Sequence, residues 1–256
     1  MLVQFRYFFG GAVLVQGVGE FTYAEYARRG FFELVAVAAL VLPLLLSSHW
    51  LLRKESNRGQ RVFRALAAAQ LALLFVIMAS AVARMMLYQT EYGLTELRLY
   101  TTAFMAWLAL ALLWFAYSVL WHNERRRFVC GALIAALLTL VALNLSNPDA
   151  LIVRTNLRLA QKNRSFDAVY ASALSADAVP ALIPALINAL PQISPDRRRE
   201  AATLLLQKWA APEGPDWRTW NRSRQAARFA VNAEVSALQK LIAEAPPGSS
   251  PENVPR

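Results

Sequence analysis

Charged residues crowd against the first long apolar run of this sequence. The stretch Tyr23 to Glu33 reads YAEYARRGFFE, and Glu25, Arg29 and Glu33 follow one another at intervals of four residues. On a helix, this spacing places an acid, a base and an acid on one face. Two interpretations are open: the three charges neutralise one another and orient the apolar run, or they form a polar entry to a cavity between helices.

Three further ionisable residues stand close to apolar runs. Arg84 lies near the end of the second run, and Glu91 and Glu96, either of which could neutralise it, follow in the next connection. A charge at the middle of a bilayer costs on the order of 3 kcal/mol, so such residues tend to mark function. The candidate polar cluster of the sequence consists of Glu25, Arg29, Glu33, Arg84, Glu91 and Glu96.

The sequence gives little support for catalysis or metal binding. The sequence contains no HExxH, P-loop or GxSxG motif, and it has one cysteine, Cys130, and two histidines, His49 and His122. Two histidines exclude a histidine-rich metal site, and we expect both to be interfacial anchors rather than a metal site or proton relay. We therefore predict no catalytic residue, no metal and no cofactor, and an enzyme is disfavoured.

The elements that position these residues follow from composition. The chain is 57% hydrophobic and 17% charged, whereas soluble domains are usually about 45–50% apolar. Four apolar runs are long enough to cross a bilayer core of roughly 30 Å, which takes about 20 helical residues. They cover approximately residues 31–52, 65–87, 97–121 and 128–145. The third run lacks the polar face of a soluble amphipathic helix, so the pattern predicts four transmembrane helices.

The ends of these runs carry aromatic and basic residues. Aromatic side chains favour the membrane interface, and we expect five of them to act as anchors: Trp50, Trp121, Tyr88, Tyr92 and Tyr100. The loops 53–64 and 122–127 are rich in Lys and Arg and are therefore predicted to be cytoplasmic. Parity then places the C-terminal region outside the cytoplasm, although the basic residues Arg154 and Arg158 argue for the opposite side. Thr95 is expected to cap the third span.

Beyond the spans the pattern becomes amphipathic. Asn147, Pro148 and Asp149 resemble the start of a new helix, with a cap, a first-turn proline and an early carboxylate. Ser194 repeats this device, and Pro184 is expected to bend or break a short helix.

A final helix is predicted from Trp217 to Ala243. Its apolar positions follow a helical stripe that predicts a core face, with contact to lipid as the alternative: Trp220, Ala227, Val231, Val235 and Leu238.

The sequence thus predicts an all-α membrane protein, with four transmembrane helices followed by a small α-helical soluble domain. Residues 1–30 are interpreted as the remnant of a preceding span plus a linker, and residues 31–147 as the four-helix transmembrane region. Residues 148–245 form the predicted extramembrane domain, and residues 246–256 a disordered tail.

Four segments carry a resemblance to a known family: YAEYARRGFFELVAVAALVLPLLL, YGLTELRLYTTAFMAWLALALLWF, NPDALIVRTNL and LSADAVPAL. In this order they resemble the bacterial membrane family called domain of unknown function 4173, which is close to family 4153. The resemblance implies a longer parent, with further spans ahead of the region that corresponds to Phe5, and makes this chain a C-terminal half. It implies no activity and no catalytic residues.

The leading functional hypothesis is a non-enzymatic regulatory or scaffold component of the bacterial inner membrane. Its partners would be the lipid bilayer and other proteins, bound through residues 148–245. The alternative is a fragment of a transporter or permease with a polar path near the outer membrane face. Nucleic acid is not an expected partner, because the net charge of +10 is mostly explained by the basic flanks of the spans and by the C-terminal domain.

Overall fold

The long apolar runs form four long helices. The computed structural model describes residues 23–51, 57–121, 125–210 and 221–243, and the regular elements in these residues are all helical. The first four helices are α1 (Tyr23–Leu51), α2 (Asn57–Tyr92), α3 (Glu96–Phe115) and α4 (Arg125–Leu145). Each is long and apolar enough to cross a membrane, and further helices follow them. The predicted fold class is confirmed.

The helices extend beyond the apolar runs that predicted them. α2 has 36 residues and, at about 1.5 Å per residue, exceeds the roughly 30 Å of a hydrocarbon core. Its additional first turns carry Arg58, Arg61 and Arg64. Hydropathy detects only the apolar part of such a helix, because backbone hydrogen bonding continues where the polarity changes. α3 likewise passes into a π-helical segment, Ala116–Trp121, that sequence periodicity did not predict.

The four long helices pack in chain order. α1 contacts α2, α2 contacts α3, and α3 contacts α4, while the π-helical segment contacts both α2 and α4. Their shared core is built from side chains that include Leu34 on α1, Leu74 on α2 and Leu112 and Phe115 on α3. Between membrane helices, where lipid tails are as apolar as these side chains, such contacts stabilise the structure mainly through close van der Waals packing.

Two tryptophans join α3 to α4. The indole N–H of Trp107 donates to the carbonyl of Ala132 at 3.2 Å, and that of Trp114 donates to the carbonyl of Arg127 at 2.9 Å. Gly131 makes the second contact possible, since a Cβ there would lie 1.9 Å from Trp114 Nε1. The absence of a side chain at Gly131 therefore allows the indole to lie against the α4 backbone.

The chain divides into two compact units, residues 1–146 and 147–256. The described elements of the C-terminal unit are six α-helices and one short 3₁₀ turn, Ala176–Ala178. The helices are α5 (Pro148–Ala160), α6 (Ala168–Ala173), α7 (Val179–Ile187), α8 (Pro195–Trp209), α9 (Arg222–Ala233) and α10 (Val235–Ala243). Their core is fully buried at Ile152, Leu182, Leu186, Leu205 and Leu238.

One local prediction for this unit is wrong, and one of the two alternatives predicted at Pro184 is excluded. The final helix is not continuous, because Glu234 leaves helical geometry, with φ −119° and ψ 17°, and separates α9 from α10. α7 continues through Pro184, so the break that was one of the two predicted outcomes is excluded. Pro184 has no backbone N–H to donate to the preceding turn, and Leu182 and Leu186, both fully buried, hold the helix in place by packing.

The helix starts were predicted with mixed success. Ser194 caps α8 as expected, accepting a hydrogen bond from the Arg197 amide at 3.4 Å. Asn147 precedes α5 in a left-handed conformation, φ 48°, and its side chain makes no cap hydrogen bond. Asp149 is instead buried, and its Oδ2 accepts a hydrogen bond from the Ser175 amide at 3.0 Å. Its carboxylate joins α5 to a distant turn.

Candidate functional site

Arg84 is the buried charged residue in the described part of the N-terminal unit. It lies on α2 with 4% of its surface exposed, and its Nη1 is 4.0 Å from Oε2 of Glu33 on α1. The packing of α1 on α2 thus brings two of the predicted polar residues together. A guanidinium shielded from water is costly unless an opposite charge lies close, and Glu33 supplies that charge.

Gly30 makes room for the Arg84 side chain. A Cβ at Gly30 would lie 3.0 Å from Arg84 Nη1 and 3.1 Å from its Cδ. Gly30 is buried and lies one helical turn before Glu33 on α1. The buried arginine therefore rests on a glycine and faces a carboxylate, and both come from the same face of α1.

A second arginine holds the turn between α2 and α3. Arg98 Nη1 donates hydrogen bonds to the carbonyls of Tyr92, at 2.9 Å, and Gly93, and its guanidinium lies 3.9 Å from the centre of the Tyr88 ring. The last carbonyls of a helix lack partners within the helix, so a cation from the next helix satisfies them. Gly93, with φ 77°, allows the chain to reverse there.

An uncharged hydrogen-bond network continues from this turn. Gln89 on α2 donates to Thr102 Oγ1 at 2.8 Å and to the Arg98 carbonyl at 3.5 Å. Thr102 in turn donates to the same Arg98 carbonyl at 2.8 Å. These contacts tie α2 to α3 one turn below the Arg98 contacts.

A cleft of about 400 Å³ opens beside these residues, and we call it the rim cleft. It is lined by Phe31, Phe32, Met85, Tyr88, Thr95, Leu97, Arg98 and Thr101. Aromatic rings dominate one side, and Phe31 makes edge contacts with Phe32 at 5.5 Å and Phe104 at 5.9 Å. The lining suits an apolar or amphipathic ligand with one group that accepts a hydrogen bond.

The predicted site residues are brought together only in part. Glu33 and Arg84 form an ion pair. Glu91 is half-buried and Glu96 is exposed on the α2–α3 hairpin, and the ion pair seen for Arg84 is with Glu33. Glu25 and Arg29 lie in the helical backbone of α1, but their side chains are outside the described part of the chain. Whether the six residues act as one functional cluster stays a prediction.

The predicted anchors also divide into two groups. Tyr92 and Tyr100 are 57% and 47% exposed, and Tyr88 lines the rim cleft. Trp50 and Trp121 belong to helical segments whose side chains at these positions are not described, and the same holds for His49. His122 lies outside the described residues. Thr95 has the backbone position of a cap, but its side chain makes no cap hydrogen bond.

Sequence reasoning overlooked three residues of this region: Gly30, Gln89 and Arg98. Arg98 carried a usable signal, because a basic residue shortly after a helix-ending glycine often binds the last carbonyls. Gly30 and Gln89 carried none, since their roles depend on which side chain of the neighbouring helix they meet.

The described residues contain no group of three His, Cys, Asp or Glu side chains that could hold a metal. The rim region therefore offers an ion pair, an aromatic cleft and a hydrogen-bonded hairpin. Such an arrangement can bind a ligand.

Comparison with known proteins gives one result. The comparisons with curated proteins and with solved structures found no match. A family model described as Domain of unknown function (DUF4153) matches residues 1–185. The expected family, 4173, is therefore wrong, and the match is to a related but different family. Long apolar runs with similar flanking residues occur in both families, so they do not distinguish one from the other. Since the match covers more than half of the chain, the protein belongs to the family of Domain of unknown function (DUF4153).

Proposed function

We propose that this protein is a non-enzymatic component of the bacterial inner membrane, regulatory or scaffolding, whose C-terminal helical unit binds a partner protein. The observation that carries the proposal is the exposure of Phe229 on α9. This side chain is 79% exposed, whereas the other exposed large apolar side chains in the described part of that unit, Leu151 and Leu204, are at 37% and 36%.

The surroundings of Phe229 suit a protein interface. Aromatic and arginine side chains are enriched at the cores of interfaces. α9 carries Arg222, Arg224 and Arg228 and no acidic residue, so its outer surface favours a partner with an acidic rim. The opposite face of α9 packs inward through Ala227 and Val231, both fully buried. The predicted core stripe thus leaves Phe229 on the other side of the helix.

Photocrosslinking tests this proposal. The full chain, carrying a photoreactive phenylalanine analogue at position 229 or at 204, is irradiated in membranes, solubilised in mild detergent and purified. We expect a protein adduct of one defined mass from position 229 and none from 204, because Leu204 lies on α8 and is only partly exposed. Phe229→Ala should reduce copurification of the same protein at least tenfold, and Leu204→Ala should not.

Adducts to lipid alone from position 229 would contradict the proposal, since they would show that α9 lies on the membrane. Equal loss of the partner in Phe229→Ala and Leu204→Ala would also contradict it.

A transporter or permease fragment is the second candidate, and the buried Arg84 favours it. Ionisable residues inside membrane helices mark substrate or ion paths by default, and Arg84 and Glu33 are the sequence neighbours of the rim cleft residues Met85 and Phe32. We expect vesicles containing the protein to take up a solute from isotope-labelled cell extract, measured by mass spectrometry. Glu33→Gln should abolish that uptake, and Glu200→Gln, at an exposed position of the C-terminal unit, should preserve it. Unchanged uptake in Glu33→Gln would exclude this function.

A further inference from the structure

A second cleft, of about 600 Å³, lies between the last turns of α1 and the first turns of α2. Its apolar wall includes Leu44 and Leu45 from α1 and Val62, Leu66 and Ala67 from α2. Polar side chains are few in this lining. Arg58 and Ser48 stand toward the ends of the two helices, and Gln70 lies farther along α2.

The cleft has the length of one lipid leaflet. From Arg58 to Gln70, α2 rises by about 18 Å at about 1.5 Å per residue. Half of a typical hydrocarbon core is roughly 15 Å. An acyl chain placed along this wall would therefore reach about the middle of the bilayer while its headgroup stayed near Arg58.

One side of the cleft is open. Leu44, Val62 and Leu66 are 57%, 54% and 66% exposed, whereas Leu45 and Ala67 at its floor are 3% and 1% exposed. No described residue covers these apolar rims, which suits them to a bilayer. There the rims face acyl chains, so a lipid can reach the floor of the cleft sideways without passing through water.

The charge at the mouth of the cleft is positive. Arg58 is exposed there, and it is the one charged side chain among the described residues that line the cleft. Basic positions at the ends of membrane helices attract anionic headgroups by about 1 kcal/mol for each Lys or Arg. A zwitterionic headgroup gains less from the same cations.

We propose that this cleft is a binding site for one anionic phospholipid of the bilayer, with the phosphate at Arg58 and an acyl chain along Leu44, Val62 and Leu66. The site rests on the proposal that the chain is a membrane protein. It is independent of the rim cleft and of the partner proposed for α9.

Native mass spectrometry of the full chain tests the site. The protein is purified in mild detergent and equilibrated with equal amounts of phosphatidylglycerol and phosphatidylethanolamine. We expect one retained phosphatidylglycerol in the wild type. Arg58→Gln should lower the occupancy of phosphatidylglycerol about fivefold, which is the effect of one lost headgroup contact. Arg64→Gln removes the same charge on the same helix outside the cleft, and this variant should retain the lipid.

A second pair of variants tests the apolar wall. Val62→Trp should fill the cleft and displace the lipid, while Ala65→Trp adds similar bulk to an exposed position outside it and should not. Gel-filtration profiles confirm that each variant is folded. Inorganic phosphate at millimolar concentration should leave the adduct unchanged, because the acyl chain supplies most of the contact.

The site would be overturned by equal retention of both lipids, by equal losses in Arg58→Gln and Arg64→Gln, or by displacement by phosphate. Resistance of the chain to alkaline extraction from membranes is measured alongside. A chain that is extracted contradicts the membrane assignment, whereas a chain that resists extraction but holds no lipid contradicts only the site.

Discussion

Two side-chain contacts in the N-terminal unit depend on glycines, because the absence of a side chain there leaves room for a neighbouring residue. Gly30 leaves room for the Arg84 side chain, and Gly131 leaves room for the Trp114 indole. Both glycines lie inside helices, where glycine is about 1 kcal/mol less favourable than alanine. Their presence is explained by the neighbouring side chain, and a substitution there tests the packing directly.

Gly131→Ala is expected to destabilise the contact between α3 and α4. The new Cβ would lie 1.9 Å from Trp114 Nε1, so the indole must move and its 2.9 Å hydrogen bond to the Arg127 carbonyl is lost. We expect a net loss of about 1–2 kcal/mol, since overpacking costs about 1–3 kcal/mol and better helix propensity returns part of it. Thermal unfolding in mild detergent measures the change.

A double variant supplies the control for this prediction. In a Trp114→Leu background the clash is absent, so Gly131→Ala should there be neutral or slightly stabilising. If Gly131→Ala destabilises the protein equally in both backgrounds, the indole contact is not the cause.

At the scale of elements, the α2–α3 hairpin is held by polar contacts at one end. Arg98 joins the α2 carbonyls to the first turn of α3, and Gln89 and Thr102 form the next layer. The length of the apolar runs located both helices and the connection between them. The sequence did not show that Arg98 closes this turn. The guanidinium bonds to the carbonyls of Tyr92 and Gly93, and their positions depend on the conformation of the turn.

Arg98→Gln is expected to loosen this hairpin. The variant loses the hydrogen bonds to the Tyr92 and Gly93 carbonyls and the contact with the Tyr88 ring. Hydrogen bonds from charged groups contribute about 1.5–3 kcal/mol, so the last turn of α2 should open more often. Hydrogen exchange of the amides in residues 88–93 should accelerate at least tenfold.

Thr90→Ala provides the matched control, because its exposed hydroxyl bonds only within α2, to the Leu87 carbonyl at 2.8 Å. Exchange that is unchanged in Arg98→Gln, or equally faster in both variants, would show that Arg98 does not hold the turn.

At the scale of the whole molecule, the chain contains two compact units with separate cores. The core of the N-terminal unit includes Leu34, Leu74 and Phe115, and that of the C-terminal unit includes Leu182 and Leu205. Each unit therefore has its own set of buried apolar side chains. A defect in one core should be felt mainly inside that unit.

Leu205→Ala is expected to destabilise the C-terminal unit by about 2–5 kcal/mol, because the side chain is fully buried and truncation leaves a cavity. Limited proteolysis of the full chain in detergent should cleave residues 147–256 faster and leave the N-terminal unit intact. Leu204→Ala changes the neighbouring, partly exposed side chain and should cost less than about 1 kcal/mol. Equal proteolysis of the two variants would contradict this assignment of the core.

The sequence by itself determined the helical class, the four apolar helices and the core face of α9. These features depend on composition and on spacing within one helix, which are local properties of the chain. Helix ends were less accurate, as α2 and the break at Glu234 show, because hydrogen bonding and packing continue or stop independently of polarity.

Only the tertiary structure decided which side chains meet. The pairing of Arg84 with Glu33, the glycines beneath Arg84 and Trp114, and the two clefts all depend on how neighbouring helices are rotated and offset. Spacing within a helix determines the face on which a residue lies, but it does not determine which residues of the neighbouring helix that face contacts. Of the charged residues Glu25, Arg29 and Glu33 that the sequence places on one helix face, Glu33 is the one for which the structure shows a partner. That partner is Arg84 on the neighbouring helix α2.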